Sequence, residues 1–403
     1  MPPFTIDPFS HYLGYLATDQ ETLRELLDSY NGLIVPGTIA AWQQQGTGGF
    51  VTTLSALPQA PPYLIDPRSP LFQQGLPGAK ASHVALADLL GDPGLVQIRD
   101  PSPTDFDDQR LSVIAEHWVE FNTVYTDLPS DKTLDKYARR LKEPIAPHNR
   151  QAPEGILPPY FAASGMDDDW WELSKVLFDL TEARAQIPCY RVVCAQDSAA
   201  LDELLADVDD NQVVVWVSGL DETKAEVSAL ATYREAIAAA TSRDQKTFAL
   251  YGGFFSVLLR GAGLRGSGHG VGFSEHREWR ELPASGAPPA RFYWRRAHRF
   301  VQPDLAQNLY EQEPSITDCG CPHCDGRGPI ELKYHDRMKH SVWCRDQEIQ
   351  TFGGVAPEAA AQVLRDEYDA LEAQIGELRL LPAVRSRART QIAHLPRWAD
   401  ALS

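Results

Sequence analysis

Long hydrophobic runs are missing from this 403-residue chain. The longest apolar stretch, residues 248–259, stops at Arg260, whereas a helical bilayer span needs about 20 consecutive apolar residues. The opening segment, MPPFTIDPFS, has neither the charged start nor the apolar core of a secretory leader. A cytoplasmic protein with no membrane partner is therefore expected. Cysteine is scarce, six in all, too few for the disulfide framework that staples small secreted domains. Positive charge is in deficit: 37 Lys and Arg stand against 55 Asp and Glu, a net −18, which excludes a uniformly basic coat for nucleic acid or an anionic membrane but leaves local patches open. What is present is ordinary globular composition, 43% apolar and 23% charged with 28 Gly and 30 Pro. That rules out a disordered or collagen-like chain and allows one large domain or two smaller ones.

Eight short apolar, β-branched runs recur, at residues 33–36, 50–54, 63–65, 156–161, 190–194, 213–217, 247–251 and 271–273. Several are continuous rather than alternating, VVVWV above all, as parallel strands covered on both faces should be. Between the later runs lie helical patterns. Trp170, Leu173, Leu177 and Leu180 make one apolar stripe, and Val227, Leu230, Tyr233 and Ile237 nearly make another. Eight strands with intervening helices predict an α/β fold, a (β/α)8 TIM barrel over residues 1–281, although one miscounted strand would suffice for an open doubly wound sheet. Residues of about 75–155, with a possible strand at 95–99 and a helix at 108–125, read as an insertion after the third strand. The Gly-rich stretch 261–272 enters the eighth run, the reverse of a nucleotide loop, and reads as a tight turn.

The cysteines are unevenly placed, four of the six falling between Cys319 and Cys344. Cys319-Gly-Cys321-Pro-His-Cys324 puts three thiols on a tight loop, and one further ligand from the helical segment DRMKHSVWCRDQEI would complete a closed, structural zinc site. His335, His340 and Cys344 are the residues in reach; the plainer reading is three free cysteines. Residues 282–356 thus form a zinc-binding subdomain inserted after the eighth strand. A terminal helix beginning at Pro357, within residues 357–403, carries an apolar seam from Ala361 to Leu378. It either docks as the eighth barrel helix or pairs with another helix, in a homodimer or heterodimer.

Polar residues just after barrel strands are the default catalytic candidates. Here they are Thr38, Asp66, Arg68, Gln196, Asp197, Ser218, Asp221, Ser274, Glu275, His276 and Arg277. Most such residues only turn the chain or cap a helix, but Asp66 and Glu275 could divide acid and nucleophile roles in glycosyl transfer. RFYWRRAHRF interleaves Arg291, Arg295, Arg296 and Arg299 with aromatic residues, as surfaces that grip phosphates and stack on bases do; a solvated strand is the bland alternative. Residues 255–345 hold 13 Lys and Arg against 10 Asp and Glu, so the acidic excess lies elsewhere in the chain.

A barrel followed by Cys-x-Cys-x-x-Cys and a helical His resembles the tRNA-guanine transglycosylase superfamily, including its DNA-modifying members. Val35-Pro36-Gly37-Thr38 is similar to that family's Pro-Val-Gly-Thr, and Asp66 to the Asp of its Thr-Asp-Ser-Gly-Gly. The resemblance implies Cys319, Cys321, Cys324 and His340 as zinc ligands, with Cys344 the rival fourth. It implies exchange of a guanine-like base for a 7-deazaguanine in tRNA or DNA through a covalent glycosyl-enzyme. Asp66 would serve as acid and base and Glu275 as nucleophile, with Thr38, Arg68, Gln196, Ser218, Gly219 and Asp221 around the base. The departures are Pro67-Arg68 in place of Gly-Gly, Ser218-Gly219-Leu220 in place of Gly-Gly-Leu, and Phe273-Ser274-Glu275 in place of Phe-Asp-Cys. A non-catalytic nucleic-acid-binding subunit that keeps barrel and zinc is the competing expectation. A barrel hydrolase acting on a small substrate is a third.

Overall fold

The computed structural model describes residues 3–7, 9–57, 60–142, 150–272, 275–280, 282 and 289–403. Eight strands form one sheet: β1 (Ser10–Gly14), β2 (Gly32–Pro36), β3 (Tyr63–Asp66), β4 (Ala162–Ala163), β5 (Arg191–Ala195), β6 (Gln212–Val217), β7 (Lys246–Ala249) and β8 (Gly266–His269). Every neighbouring pair is parallel, in the order β3-β2-β1-β8-β7-β6-β5-β4. Because β1 pairs β8 in mid-sheet, the sheet curls, and with helices between successive strands the fold is a (β/α)8 TIM-type barrel.

Three of the eight expected runs, 50–54, 156–161 and 271–273, lie outside the strands; the second runs up to β4, which begins only at Ala162. Residues 50–54 belong to the helix Gly49–Ser55, all of whose residues are buried. A short apolar run buried on all sides has no period to separate strand from helix. Gly49 sits there because a Cβ would lie 2.5 Å from Thr133 of the helix Asp131–Leu141. The first strand is instead Ser10–Gly14, and the eighth is Gly266–His269, inside the stretch expected to be only a turn. The expected run at 271–273 follows β8; Phe273 and Ser274 lie outside the described residues. The expected strand at 95–99 is absent, and a 3₁₀ turn, Pro93–Leu95, stands at its start.

The glycines of β8 have a packing reason. Tyr12, Ile34, Leu64, Val214, Trp216 and Phe248 belong to one buried cluster inside the curl, while the alternate residues Leu13, Leu33, Val35, Val193 and Val215 pack into the helix layer. A Cβ on Gly266 would meet Ser10 Cβ at 2.4 Å, and one on Gly268 would meet Ile34 Cδ1 at 2.4 Å. Bulk from neighbouring strands already fills the interior, so β8 runs through it as bare backbone.

The barrel closes without a ladder between β3 and β4 among the described residues. Glu154 N–H donates to the Tyr63 carbonyl at 2.9 Å, and Ile156 bridges to Cys189. Beyond them, side chains take over. The Ser69 hydroxyl donates to the Tyr160 carbonyl (2.6 Å) and accepts from its N–H (2.8 Å). The Gln73 amide donates to the Ala162 carbonyl (3.0 Å) and accepts from its N–H (2.6 Å).

After β8 comes an antiparallel hairpin, β9 (Phe292–Trp294) and β10 (Arg299–Val301), then the cysteine loop and the helix Tyr334–Phe352. That helix packs on both Gln20–Glu25 and Phe254–Leu258, the helices that follow β1 and β7. It therefore occupies the slot of the eighth barrel helix. The segment expected to be one terminal helix is three, Pro357–Glu377, Pro382–Ile392 and His394–Leu402. They stack on each other and on Val227–Ser242, outside that slot.

Gln73→Ala would leave the buried Ala162 N–H without its partner and the Ala162 carbonyl with only the Gln196 amide, a cost on the order of 1–3 kcal/mol. A urea unfolding series should show the midpoint fall accordingly. An unchanged midpoint would mean that the closure does not depend on this amide.

Candidate functional site

Two groups of residues carry candidate chemistry, a cysteine–histidine cluster in the segment after β8 and a cavity at the strand ends bordered by carboxylates and arginines. In the first, Cys319, Cys321, Cys324 and His340 each offer one ligand atom, all within 4.8 Å of one another. The three sulfurs each lie 3.4 Å from His340 Nδ1, and Cys324 Sγ is 3.5 and 3.3 Å from those of Cys319 and Cys321. Such separations are near the edges of a tetrahedron around an ion with bonds of about 2.0–2.3 Å. Gly320, at φ +65, lets the loop turn tightly enough to aim two thiols at one point. His340 Nε2–H donates to the Tyr293 carbonyl at 2.6 Å, which leaves the Nδ1 lone pair facing the sulfurs, and the ring stacks on Phe292. The group could hold a metal ion with four protein ligands. Cys344, one turn beyond His340, is not one of the four; it packs with Tyr293 and Phe300, and burial pushes its thiol up. His335 points elsewhere, 3.5 Å from Glu21.

A continuous polar chain runs from this cluster into the barrel. The Tyr293 hydroxyl donates to Glu348 at 2.8 Å, and Arg345 lies 3.0 Å from Glu348 and 2.7 Å from Glu275. His298, left-handed at φ 50, gives one ring nitrogen to Glu348 (2.6 Å) and the other to Glu367 (2.8 Å). Burial alone would lower its pKa, but the two carboxylates outweigh that and push it up to about 9.

Glu275 borders a cavity of about 380 Å³ at the ends of β6, β7 and β8. Trp216 and Tyr251 line it with Arg277, and the hairpin contributes Arg291 and Arg299. Burial pushes the Glu275 carboxyl up to about 7; Arg345 pulls the other way, and Glu222 and Glu348 add to the rise. Glu222 meets Glu275 near Gly253, where a Cβ would be 2.6 Å from Glu222 Oε2 and 3.1 Å from Glu275 Oε2. The Glu222 carboxylate accepts from the Gly253 and Phe255 N–H groups and the Ser256 hydroxyl, capping the helix Phe254–Leu258.

Asp66 lies deeper. One of its oxygens accepts from the Tyr160 hydroxyl at 2.8 Å and the Arg68 N–H at 3.0 Å, the other from the Tyr251 hydroxyl, and Arg68 Nε is 3.5 Å away. It has no exposed surface. Tyr251 is thus the link between Asp66 and the cavity that Glu275 borders.

The other expected residues divide. Asp221 borders the cavity, paired with Lys224 at 2.8 Å. Thr38 and Arg68 border a neighbouring pocket of about 40 Å³ that shares Tyr251 and Arg277 with the cavity. Gln196 donates to the Ala162 carbonyl (3.3 Å), Gly219 N–H to the Gln196 carbonyl (3.0 Å), and Ser218 accepts from Trp279 N–H (2.8 Å), so these three brace the loops. Arg295 donates to the Cys319 carbonyl (2.9 Å) and Arg296 to Gln374 (2.6 Å), both within the appended module. Tyr160, Tyr251, Glu222, His298 and Arg345 were not anticipated. Tyr251 follows β7 and could have been found by the same rule as the others, whereas nothing local marks Arg345.

No family model matches the chain, and no curated protein does. Among solved structures, one described as a "putative fructose-1,6-biphosphate aldolase" from Coccidioides immitis matches at a TM-score of 0.37 and 10% identity, over 86% of this chain and 91% of that one. At that similarity the site has to be read from its own residues.

Two outcomes are expected. Elemental analysis should find one metal ion per chain, retained in Cys344→Ala and lost in Cys321→Ala; retention in the latter would contradict the assigned ligands. A NMR titration should place the His298 midpoint near 9. Its folded value lies above the unfolded 6.5, so its contribution, on the order of 3 kcal/mol, is complete below about pH 6.5 and fades as pH rises through 9. Thermal unfolding midpoints that stay level from pH 7 to 9.5 would count against this.

Proposed function

We propose that the protein binds a nucleotide of tRNA or DNA at this cavity and exchanges a guanine-like base, in a transglycosylase-like pentosyl transfer, with zinc in the Cys319-Cys321-Cys324-His340 cluster as a structural ion. One observation carries the reading: in a chain of net −18, the cavity gathers Arg277, Arg291 and Arg299 beside Trp216, Tyr251 and the Glu275 carboxyl. Its volume of about 380 Å³ falls in the range of small-ligand sites. Arginines suit phosphates and aromatic faces suit a base drawn out of its stack.

In this account Glu275 Oε2, the oxygen not held by Arg345, attacks C1′ of the sugar. The new C1′–O bond forms as the C1′–N bond to the base breaks. The electron pair leaves with the base, which takes a proton from the Tyr251–Asp66 pair, and the incoming base reverses each step. Cys319, Cys321, Cys324 and His340 would hold a zinc ion with four protein ligands, and the ion would hold the module and take no part in the transfer.

A second reading, a nucleic-acid-binding subunit without chemistry, draws on the same page. Both Asp66 oxygens are occupied by phenols, and Glu275 is tied to a buried guanidinium.

Labelled guanine incubated with bulk tRNA or DNA separates the two. The exchange reading expects incorporation that rises with pH through about 7, as Glu275 ionises, and that Glu275→Gln lowers by 10³-fold or more while nucleic-acid binding persists. Binding without incorporation in the metal-loaded protein would favour the subunit. Absence of binding would remove both readings.

A further inference from the structure

We propose that Arg345 is a positioning residue that couples the metal-binding loop to the Glu275 carboxylate, through Glu348 and Tyr293. The inference rests on the reading of Glu275 as the working carboxylate of the cavity. On the helix Tyr334–Phe352, His340 and Cys344 lie one turn apart on the side of the cysteine loop, and Arg345 and Glu348 are paired one turn apart towards the barrel. Tyr293 holds both ends of the connection. Its backbone carbonyl accepts from His340 Nε2–H at 2.6 Å, and its hydroxyl donates to Glu348 at 2.8 Å. Glu348 in turn holds one arm of the Arg345 guanidinium at 3.0 Å, and the other arm reaches Glu275 Oε1 at 2.7 Å. Only 3% of the Arg345 side chain and 1% of the Glu348 side chain are exposed, so water does not compete for these contacts.

Among the described residues, the groups that face Glu275 include Arg345 and Glu348 from the helix, Tyr293 from β9, Arg299 from β10, Glu222 from the loop after β6, and His269 from β8 with its Nδ1 3.9 Å away; Arg68 and Arg277 line a small pocket with it. Burial holds His269 far below its usual value, so it is neutral near pH 7. Of the described cations around Glu275, Arg345 is the one within hydrogen-bond distance, at 2.7 Å. It leaves Oε2 free towards the cavity and favours the ionised carboxyl, and a shift of the helix would relax both effects. Metal in the loop would fix the start of that helix and so the reach of Arg345.

The test reads Glu275 itself. Carboxyl ¹³C NMR of glutamate-labelled protein, with the Glu275 signal identified by its loss in Glu275→Gln, should give a midpoint near 7. Arg345→Met should raise it by about 1–3 pH units, the effect of removing one adjacent opposite charge. Arg345→Lys should recover most of that rise, and Tyr293→Phe should give a smaller rise in the same direction. Removing the metal by chelation should also raise it. An unchanged midpoint in Arg345→Met, or in Tyr293→Phe should the first variant not fold, would overturn the positioning role. An unchanged midpoint after complete metal removal would overturn the coupling. Neither readout needs turnover, so failure of base exchange would sink the proposed activity without touching this result, and the reverse holds equally.

Discussion

A guanidinium taken out of water has to be met by carboxylates, and much of the appended module is arranged to do this for Arg345. Breaking such a buried pair by removing one partner costs on the order of 3–5 kcal/mol. Glu275 comes from the barrel and Glu348 from the same helix as Arg345, so the ion pairs lock module to barrel. Tyr293 and His298 complete the arrangement from the hairpin. His298 carries its own positive charge between Glu348 and Glu367, and its ring stacks on Phe254 at 3.8 Å. The cavity lies where these elements abut the strand ends.

The same economy of space shapes the barrel. Ser10, Ile34 and Phe248 fill the space around β8 so fully that it is glycine at Gly266 and Gly268. At the opposite side of the curl, Ser69 and Gln73 stand in for a missing ladder. Immediately before Ser69, Arg68 takes a left-handed conformation at φ 53, and its N–H donates to the Asp66 carboxylate at 3.0 Å. Closure of the barrel and the placement of Asp66 are thus one piece of local structure.

The class of fold was legible from β-branched runs and their spacing, and the cysteine cluster from its pattern alone. Where the reading failed, a physical reason is visible. Ser10–Gly14 is short and mixed in polarity, and residues 50–54 are buried all round, so neither presents the period that marks its type. β8 resembles a turn because its glycines answer to packing from other strands. At the site, Asp221, Glu275, Arg291 and Arg299 were found by position after strands or by charge, and they do border one cavity. Arg345 and Glu348 were not, because their significance lies in contacts that only the folded chain creates. Arg295 and Arg296 share the local pattern of Arg291 and Arg299, yet they bind within the module.

On this proposal the cysteine loop, the helix Tyr334–Phe352 and the Glu275 segment form one mechanical unit, which amide hydrogen exchange with and without a chelator reads out. Stripping the metal should lower protection in residues 334–352 and in 275–280 together, while β5 and β6 keep theirs. A loss confined to the loop around residues 319–324 would contradict the account.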